Sequence, residues 1–306
     1  MYDFDVAVVS DKFTDKNGKT TYNVTTHIFL RAMKYPEFTI RVVVFHERAA
    51  RIGKNAGLYE KFDLELAMID GLRLYIPKPA NKFPETVAQS KYIDCNKTAA
   101  DNFFKMYPPD RSSAANAFRE KARQVLAGAK QVLDKLSVRF WLSSGTLLGW
   151  YRECDIIPHS VDIDLEMWAK DYNPQIIPDM KKAGFQFKQQ LGRLNDSLEV
   201  SFIAWGIKLD IFFVYEAPDH LWLGGMDVSN GEKQKYVFPK YDLCWTTLQD
   251  LFLRVPCPPL IYIEANYGSN WFTPKKKWNW KSSASNVRKN GYWPKDQWGS
   301  VVKVYS

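Results

Sequence analysis

The chain has 306 residues, 46% hydrophobic and 25% charged, a globular composition with room for one large domain or two ordinary ones. A net charge of +8 and a pI near 9.1 point to an anionic partner: a phosphate-bearing small molecule, an acidic glycan or nucleic acid. No RNA- or DNA-binding motif occurs, which sets nucleic acid aside; no apolar run of 18 residues encodes a transmembrane helix, and Met1-Tyr2-Asp3-Phe4-Asp5 lacks the basic and apolar regions of a signal peptide.

Phe4 to Ser10 opens the chain as a strand-like apolar run, and Lys16-Asn17-Gly18-Lys19 has the chemistry of a type I′ hairpin turn. Thr21 to Leu30, Phe38 to Phe45 and Gly71 to Ile76 are β-branched or aromatic and read as strands. None is followed by Gly-x-Gly-x-x-Gly, so no dinucleotide fingerprint is present. Residues 1–110 read as a smaller mixed α/β domain with a structural or acceptor-positioning role. Residues 111–136 are a linker and helix. The breakers of Tyr107-Pro108-Pro109-Asp110 precede a helix over Ala114 to Leu136. Phe118, Ala122, Val125, Leu126, Ala129, Val132, Leu133 and Leu136 form its apolar stripe, which predicts core packing.

Residues 137–306 carry the chemistry. Arg139 to Ser143 predicts a strand, Thr146 to Arg152 a short helix and Val161 to Trp168 a second strand. Pro174 to Ala183 predicts a helix stopped by Gly184. Phe185 to Leu191, Leu198 to Trp205 and Ile207 to Tyr215 predict three successive strands. In Val161-Asp162-Ile163-Asp164-Leu165, alternation puts Asp162 and Asp164 on one face, continued by Glu166, and Val161, Ile163 and Leu165 on the other. Adjacent like charges repel unless a hard cation such as magnesium or manganese turns the repulsion into coordination. Asp210 lies inside the buried-type run Ile207 to Val214, where a carboxylate is costly unless paired, hydrogen-bonded or metal-bound. The small residues Ser143-Ser144-Gly145-Thr146 suit a turn whose amides approach a phosphate. Arg152 is a candidate diphosphate contact or a surface salt bridge. The basic, aromatic tail (Trp271, Lys275, Lys276, Lys277, Trp278, Trp280, Lys281, Arg288, Trp293) is either a stacking surface for sugar or base, or core and capping residues. His159 and His220 read as structural histidines.

Cys95, Cys154, Cys244 and Cys257 have no Cys-x-x-Cys spacing, which argues against structural zinc; one or two disulfides require a secretory chain. Sequons at Asn23, Asn96 and Asn195 lean the same way.

A Gly/Ser turn, an Asp-x-Asp strand and a third Asp on a later strand together resemble the nucleotidyltransferase fold. Over about residues 139–300 the chain resembles the fukutin branch of the LicD phosphotransferase family. The matching residues include Phe140-Trp141-Leu142-Ser143-Ser144-Gly145-Thr146, Leu148-Gly149-Trp150-Tyr151-Arg152, Asp162-Ile163-Asp164-Leu165, Lys208-Leu209-Asp210-Ile211-Phe212-Phe213 and Tyr262-Ile263-Glu264-Ala265-Asn266-Tyr267-Gly268. The further acids that LicD proteins carry before the Asp-x-Asp are His159, Ser160 and Val161 here, which favours the fukutin branch over phosphocholine transfer. The resemblance implies an α/β protein whose mixed sheet forms a nucleotidyltransferase-like catalytic domain. It implies transfer of ribitol 5-phosphate from CDP-ribitol, a nucleotide-diphospho-alditol donor, to a hydroxyl of a glycan or glycoprotein acceptor. The setting would be the Golgi, in glycosylation of an α-dystroglycan-like acceptor. A membrane anchor is expected from the family and is not visible in this chain. By the same resemblance Asp162, Asp164 and Asp210 hold about two Mg2+ or Mn2+ ions, Asp210 alternatively acting as base, while Ser144 and Gly145 form the phosphate turn. A transferase of another phospho-group and a non-catalytic glycan-binding module are the competing readings.

Overall fold

A computed structural model describes residues 4–14, 21–32, 39–43, 63–69, 72–82, 90–275 and 277–305 of the chain. The chain divides into two units, Met1–Tyr92 and Ile93–Ser306. In the first, the β-branched runs form an antiparallel sheet in the order β1 (Phe4–Thr14), β2 (Thr21–Ala32), β3 (Thr39–Val43). Thr14 pairs with Thr21; the hairpin turn expected at Asn17-Gly18 lies outside the described residues. A separate hairpin joins β4 (Asp63–Ile69) to β5 (Leu72–Lys78). β5 is the strand expected at Gly71 to Ile76; β4 was not anticipated, although Asp63-Leu64-Glu65-Leu66 alternates.

The second unit begins earlier than the breaker run at Tyr107 to Asp110. Helix α1 (Lys97–Met106) starts at Asn96, whose Oδ1 accepts the Ala99 N–H at 3.0 Å. Its buried Phe103 packs edge-to-face on Phe272, and Cys95 is bonded to Cys154, so residues 93–110 fold as part of the second unit. The prolines at 108 and 109 separate two helices of one unit. Helix α2 (Ser113–Lys135) is capped by Ser112 Oγ on the Ala115 N–H at 3.2 Å. It buries Ala122, Val125, Leu126, Ala129, Val132 and Leu133, the stripe seen in the sequence, with Phe118 and Leu136 at its margin.

The remaining elements are β6 (Phe140–Leu142), α3 (Ser144–Glu153), β7 (Asp162–Trp168), α4 (Ile176–Lys182), β8 (Gln186–Arg193), β9 (Asp196–Ala204) and β10 (Ile207–Glu216). They continue with β11 (His220–Met226), β12 (Glu232–Pro239), β13 (Asp242–Leu248), β14 (Leu251–Cys257), α5 (Pro259–Tyr267), β15 (Val287–Tyr292), α6 (Trp298–Val301) and β16 (Val302–Val304). A nine-stranded sheet runs β15-β12-β11-β10-β9-β8-β16, with β7 on β10 and β6 on β7. All its pairs are antiparallel except β7 with β10, which makes the sheet mixed. β10 holds both partners along its first half, and its Leu209, Ile211 and Phe213 are fully buried, as the apolar run predicts. β11 and β9 approach so closely that a Cβ on Gly224 would lie 2.0 Å from Ser197 Oγ. β13 and β14 form a hairpin closed by Cys244–Cys257. No helix among the described residues is long and apolar enough to cross a membrane.

Candidate functional site

The one parallel pairing builds the site. Its register sets Asp164 opposite Asp210 and Asp162 opposite Lys208. Alternation along β7 turns Asp162 and Asp164 the same way, and one carboxylate oxygen from each of Asp162, Asp164 and Asp210 lies within 4.8 Å of the others. Asp164 and Asp210 are buried, and Asp162 is half-buried.

Asp164 is fixed by the strand-to-helix turn beside it. Its N–H donates to Thr146 Oγ1 at 2.9 Å, and its carbonyl accepts the Ser143 N–H at 3.2 Å. Ser144, with φ at 44°, makes this turn sharp, and its N–H donates to the Tyr262 hydroxyl at 3.4 Å. The Gly145 amide faces the Asp164 carboxylate and favours its charged form, and a Cβ on Gly145 would meet Ser160 Oγ at 2.7 Å. The segment expected to be a phosphate turn is therefore the first turn of α3, folded onto the acidic strand. Ser144 and Gly145 line the cavity described below. Val161, expected on the apolar face, precedes β7 instead. It adopts φ 61° and is 70% exposed at the cavity wall.

Burial, then the neighbouring Asp210, holds the Asp162 carboxyl above the usual carboxylate range. Asp164 is pushed well above it by burial and by Asp162 and Asp210. Asp162 Oδ1 accepts from Ser160 Oγ at 3.2 Å, and Asp210 Oδ2 accepts from Lys208 Nζ at 2.8 Å. Asp210 Oδ1 is buried with no hydrogen-bond partner among the described residues. Three convergent carboxylates, one with an orphaned oxygen, are a donor set that suits a hard divalent cation.

Two further side chains at this cluster were not singled out as site residues in the sequence. Glu199 on β9 is buried, and burial and then Asp210 push it up to about 7. Lys208 is held above its ordinary range: burial disfavours its charge, and Asp210, then Glu199 and Asp164, outweigh that. Both look unremarkable in alternating strands, and only the β9-β10-β7 register brings them to the aspartates.

Glu166 continues the acidic face but serves another purpose. It is fully buried and accepts from Trp141 Nε1 (2.7 Å), Ser143 Oγ (2.7 Å), the Tyr241 hydroxyl (3.0 Å) and the Tyr262 hydroxyl (2.5 Å). Four donors make it a brace between β7, the start of α3 and α5. Arg152 is also buried, with Nη2 2.5 Å from Glu153 Oε1 and its guanidinium 4.7 Å over the Phe103 ring. Its Nη1 donates to the Trp271 carbonyl at 3.3 Å. It borders the cavity as half of an internal ion pair, where the sequence suggested a phosphate contact or a surface pair.

The acids lie in a cavity of about 740 Å3 whose other walls include Tyr267, Trp271, Trp278 and Trp280. Trp278 and Trp280 are each 39% exposed. The Trp280 ring rests on Gly225, where a Cβ would come within 3.2 Å, and its carbonyl accepts the Tyr236 hydroxyl at 2.6 Å. Trp293 is buried elsewhere, with Met226 and Val301. The tail thus divides between cavity wall and core, while Lys276 lies outside the described residues. His159 lines the cavity, and His220 contacts Asp219 at 2.7 Å. All four cysteines are in disulfides, and Asn96 and Asn195 are exposed.

Residues 137–258 match the model of the LicD/FKTN/FKRP nucleotidyltransferase domain, and residues 43–123 match that of the fukutin N-terminal region. The chain is 42% identical to the proteins named ribitol-5-phosphate transferase FKTN of Macaca fascicularis, Homo sapiens and Mus musculus, over 89% of this chain. A Caenorhabditis elegans protein is 31% identical over 76% of this chain and 61% of its own length. The chain spans 64% of the length of the three mammalian relatives.

Proposed function

We propose that the chain belongs to the LicD/FKTN/FKRP nucleotidyltransferase family, whose domain model residues 137–258 match, and that it moves ribitol 5-phosphate from CDP-ribitol onto a hydroxyl of a glycan. The observation that carries this reading is the Asp162–Asp164–Asp210 cluster in a cavity walled by aromatic rings, with Asp210 Oδ1 buried and without a hydrogen-bond partner among the described residues. In this scheme the three aspartates hold Mg2+ or Mn2+, about two ions by family resemblance. When bound, these supply charge neutralisation at the donor diphosphate and polarise the reacting phosphorus.

The acceptor oxygen forms a bond to the ribitol-bearing phosphorus. The bond from that phosphorus to the bridging oxygen breaks, and its electron pair leaves with CMP. Asp210 either completes the ligand set, the acceptor proton then passing to water, or takes that proton itself. Thr146, Ser143 and Gly145 hold Asp164 in place, and Glu166 braces that turn from beneath. The cavity is large enough to exclude much bulk water from a bound donor. The two disulfides suit an oxidising compartment, which supports a Golgi or other secretory-pathway lumen and an acceptor in protein O-mannosyl glycosylation.

The test is CMP release from CDP-ribitol, CDP-glycerol and CDP-choline, with acceptor glycans, with and without Mg2+ or Mn2+. Metal-dependent release from CDP-ribitol is expected. Release from another donor alone would move the substrate, and metal-independent release or none from folded protein would overturn the scheme.

A further inference from the structure

Four lysine and arginine side chains line the cavity among the described residues: Arg152, Lys208, Lys275 and Lys281. Arg152 is paired with Glu153, and Lys281 with Asp227. Lys275 lies 5.8 Å from the Trp278 ring centroid. Lys208 stands at the carboxylate cluster itself, with Nζ 2.8 Å from Asp210 Oδ2.

This pair is asymmetric. The Lys208 side chain is 40% exposed and that of Asp210 is 6% exposed. A lysine can lay its stem along the strand and keep its ammonium toward the cavity while it pairs with a buried acid. Here the ammonium lines the cavity, on a flexible stem with three donors, and Asp210 Oδ1 has no hydrogen-bond partner among the described residues. Lysine and a divalent cation would compete for the same carboxylate oxygens.

We propose that Lys208 is a phosphate-binding residue of the transfer site: its ammonium stands in as the internal counter-ion of the carboxylate cluster and turns to the donor diphosphate when divalent cations take the aspartates. The inference rests on the function proposed above. The charges agree with it. Three aspartates, two divalent cations and a diphosphate diester leave one negative charge uncancelled, and a second when Glu199 is ionised; the Lys208 ammonium supplies one balancing positive charge. Lys208 moves no proton and forms no covalent bond. It offsets the charge that grows on the departing CMP as the bridging bond breaks.

The experiment compares the wild-type chain with Lys208→Met and Lys208→Arg, using Mn2+ alone and then inorganic pyrophosphate with Mn2+, by titration calorimetry. Lys208→Met is expected to bind Mn2+ about tenfold more tightly, because a competing cation is gone. It should bind pyrophosphate about tenfold to a hundredfold more weakly in the presence of Mn2+, with Lys208→Arg recovering most of the loss. Lys208→Gln, which keeps a hydrogen bond without the charge, serves in place of the methionine variant should that fail to fold. Unchanged pyrophosphate affinity in the uncharged variant, loss of its Mn2+ binding while folded, or no Mn2+-dependent pyrophosphate binding by the wild type would each overturn the assignment. Pyrophosphate carries neither nucleoside nor alditol. A wild type that binds it through Lys208 yet releases CMP from no CDP ester would leave Lys208 standing and sink ribitol transfer.

Discussion

Asp164→Asn is expected to stabilise the metal-free protein while removing its response to metal. Asp164 is buried and has two like-charged neighbours whose nearest ligand oxygens lie within 4.8 Å. At that separation and an effective dielectric of about 20, two full charges repel by about 3.5 kcal/mol. Asp164 relieves part of this by holding a proton, since burial and its neighbours raise its pKa well above the ordinary value. Asparagine keeps the shape, and its side-chain oxygen can still face the Gly145 amide. A net gain of about 1–3 kcal/mol remains, roughly 2–4 °C of melting temperature per kcal/mol for a unit of this size. The pH dependence follows the same sign. A carboxyl whose folded pKa is raised contributes most below its unfolded value, near 4, and loses that contribution as pH rises through the folded value. Metal-free wild type should therefore lose stability as pH climbs from about 4 upward, with Glu199, whose carboxyl is pushed up to about 7, adding to the loss as pH rises toward that value. Asp164→Asn should flatten the Asp164 share. The assay is thermal unfolding across pH with EDTA or with Mn2+, which stabilises only a protein that binds it. A lower melting temperature in EDTA together with a full Mn2+ response would refute the reasoning.

Glu166→Gln turns an amide donor toward a site with four donors already in place, and should cost about 3 kcal/mol in urea unfolding; a change within about 0.5 kcal/mol would show that the brace is dispensable. Cys95→Ser opens a loop of sequence separation 59 and should cost about 4 kcal/mol, whereas Cys244→Ser, with separation 13, should cost about 3. Equal losses in excess of either figure would point to packing around the cysteines as the larger effect.

Local pattern determined much of this protein. Period-two alternation made β7 a strand and put Asp162, Asp164 and Glu166 on one face. The three-and-four spacing of apolar residues defined α2 and the face it buries. Apolar neighbours on both sides of Asp210 marked it as a buried acid. These properties depend on neighbours a few residues away, and the chain carries them in its order. The elements from β11 to β16, for which no strand or helix was read, show where that order is less legible. Their apolar residues are interrupted by glycines, prolines and lysines, and their pairing partners are distant.

What each acid does was decided by tertiary structure. Glu166 is a second acid two residues beyond Asp164 on the same face, yet four donors converge on it from β6, the turn before α3, α5 and the segment after β12. The Gly145 amide serves a carboxylate because the strand-to-helix turn folds back onto β7. Arg152 pairs with Glu153, under the ring of Phe103 from a helix that its disulfide-linked neighbour Cys95 ties to the end of α3. Lys208 and Glu199 join the cluster because a crossover of some forty residues brings β10 parallel to β7 in a register that faces Asp210 toward Asp164. Alternation says which side of a strand a residue is on; only register and burial say which charges meet there, and at this site those meetings set the chemistry.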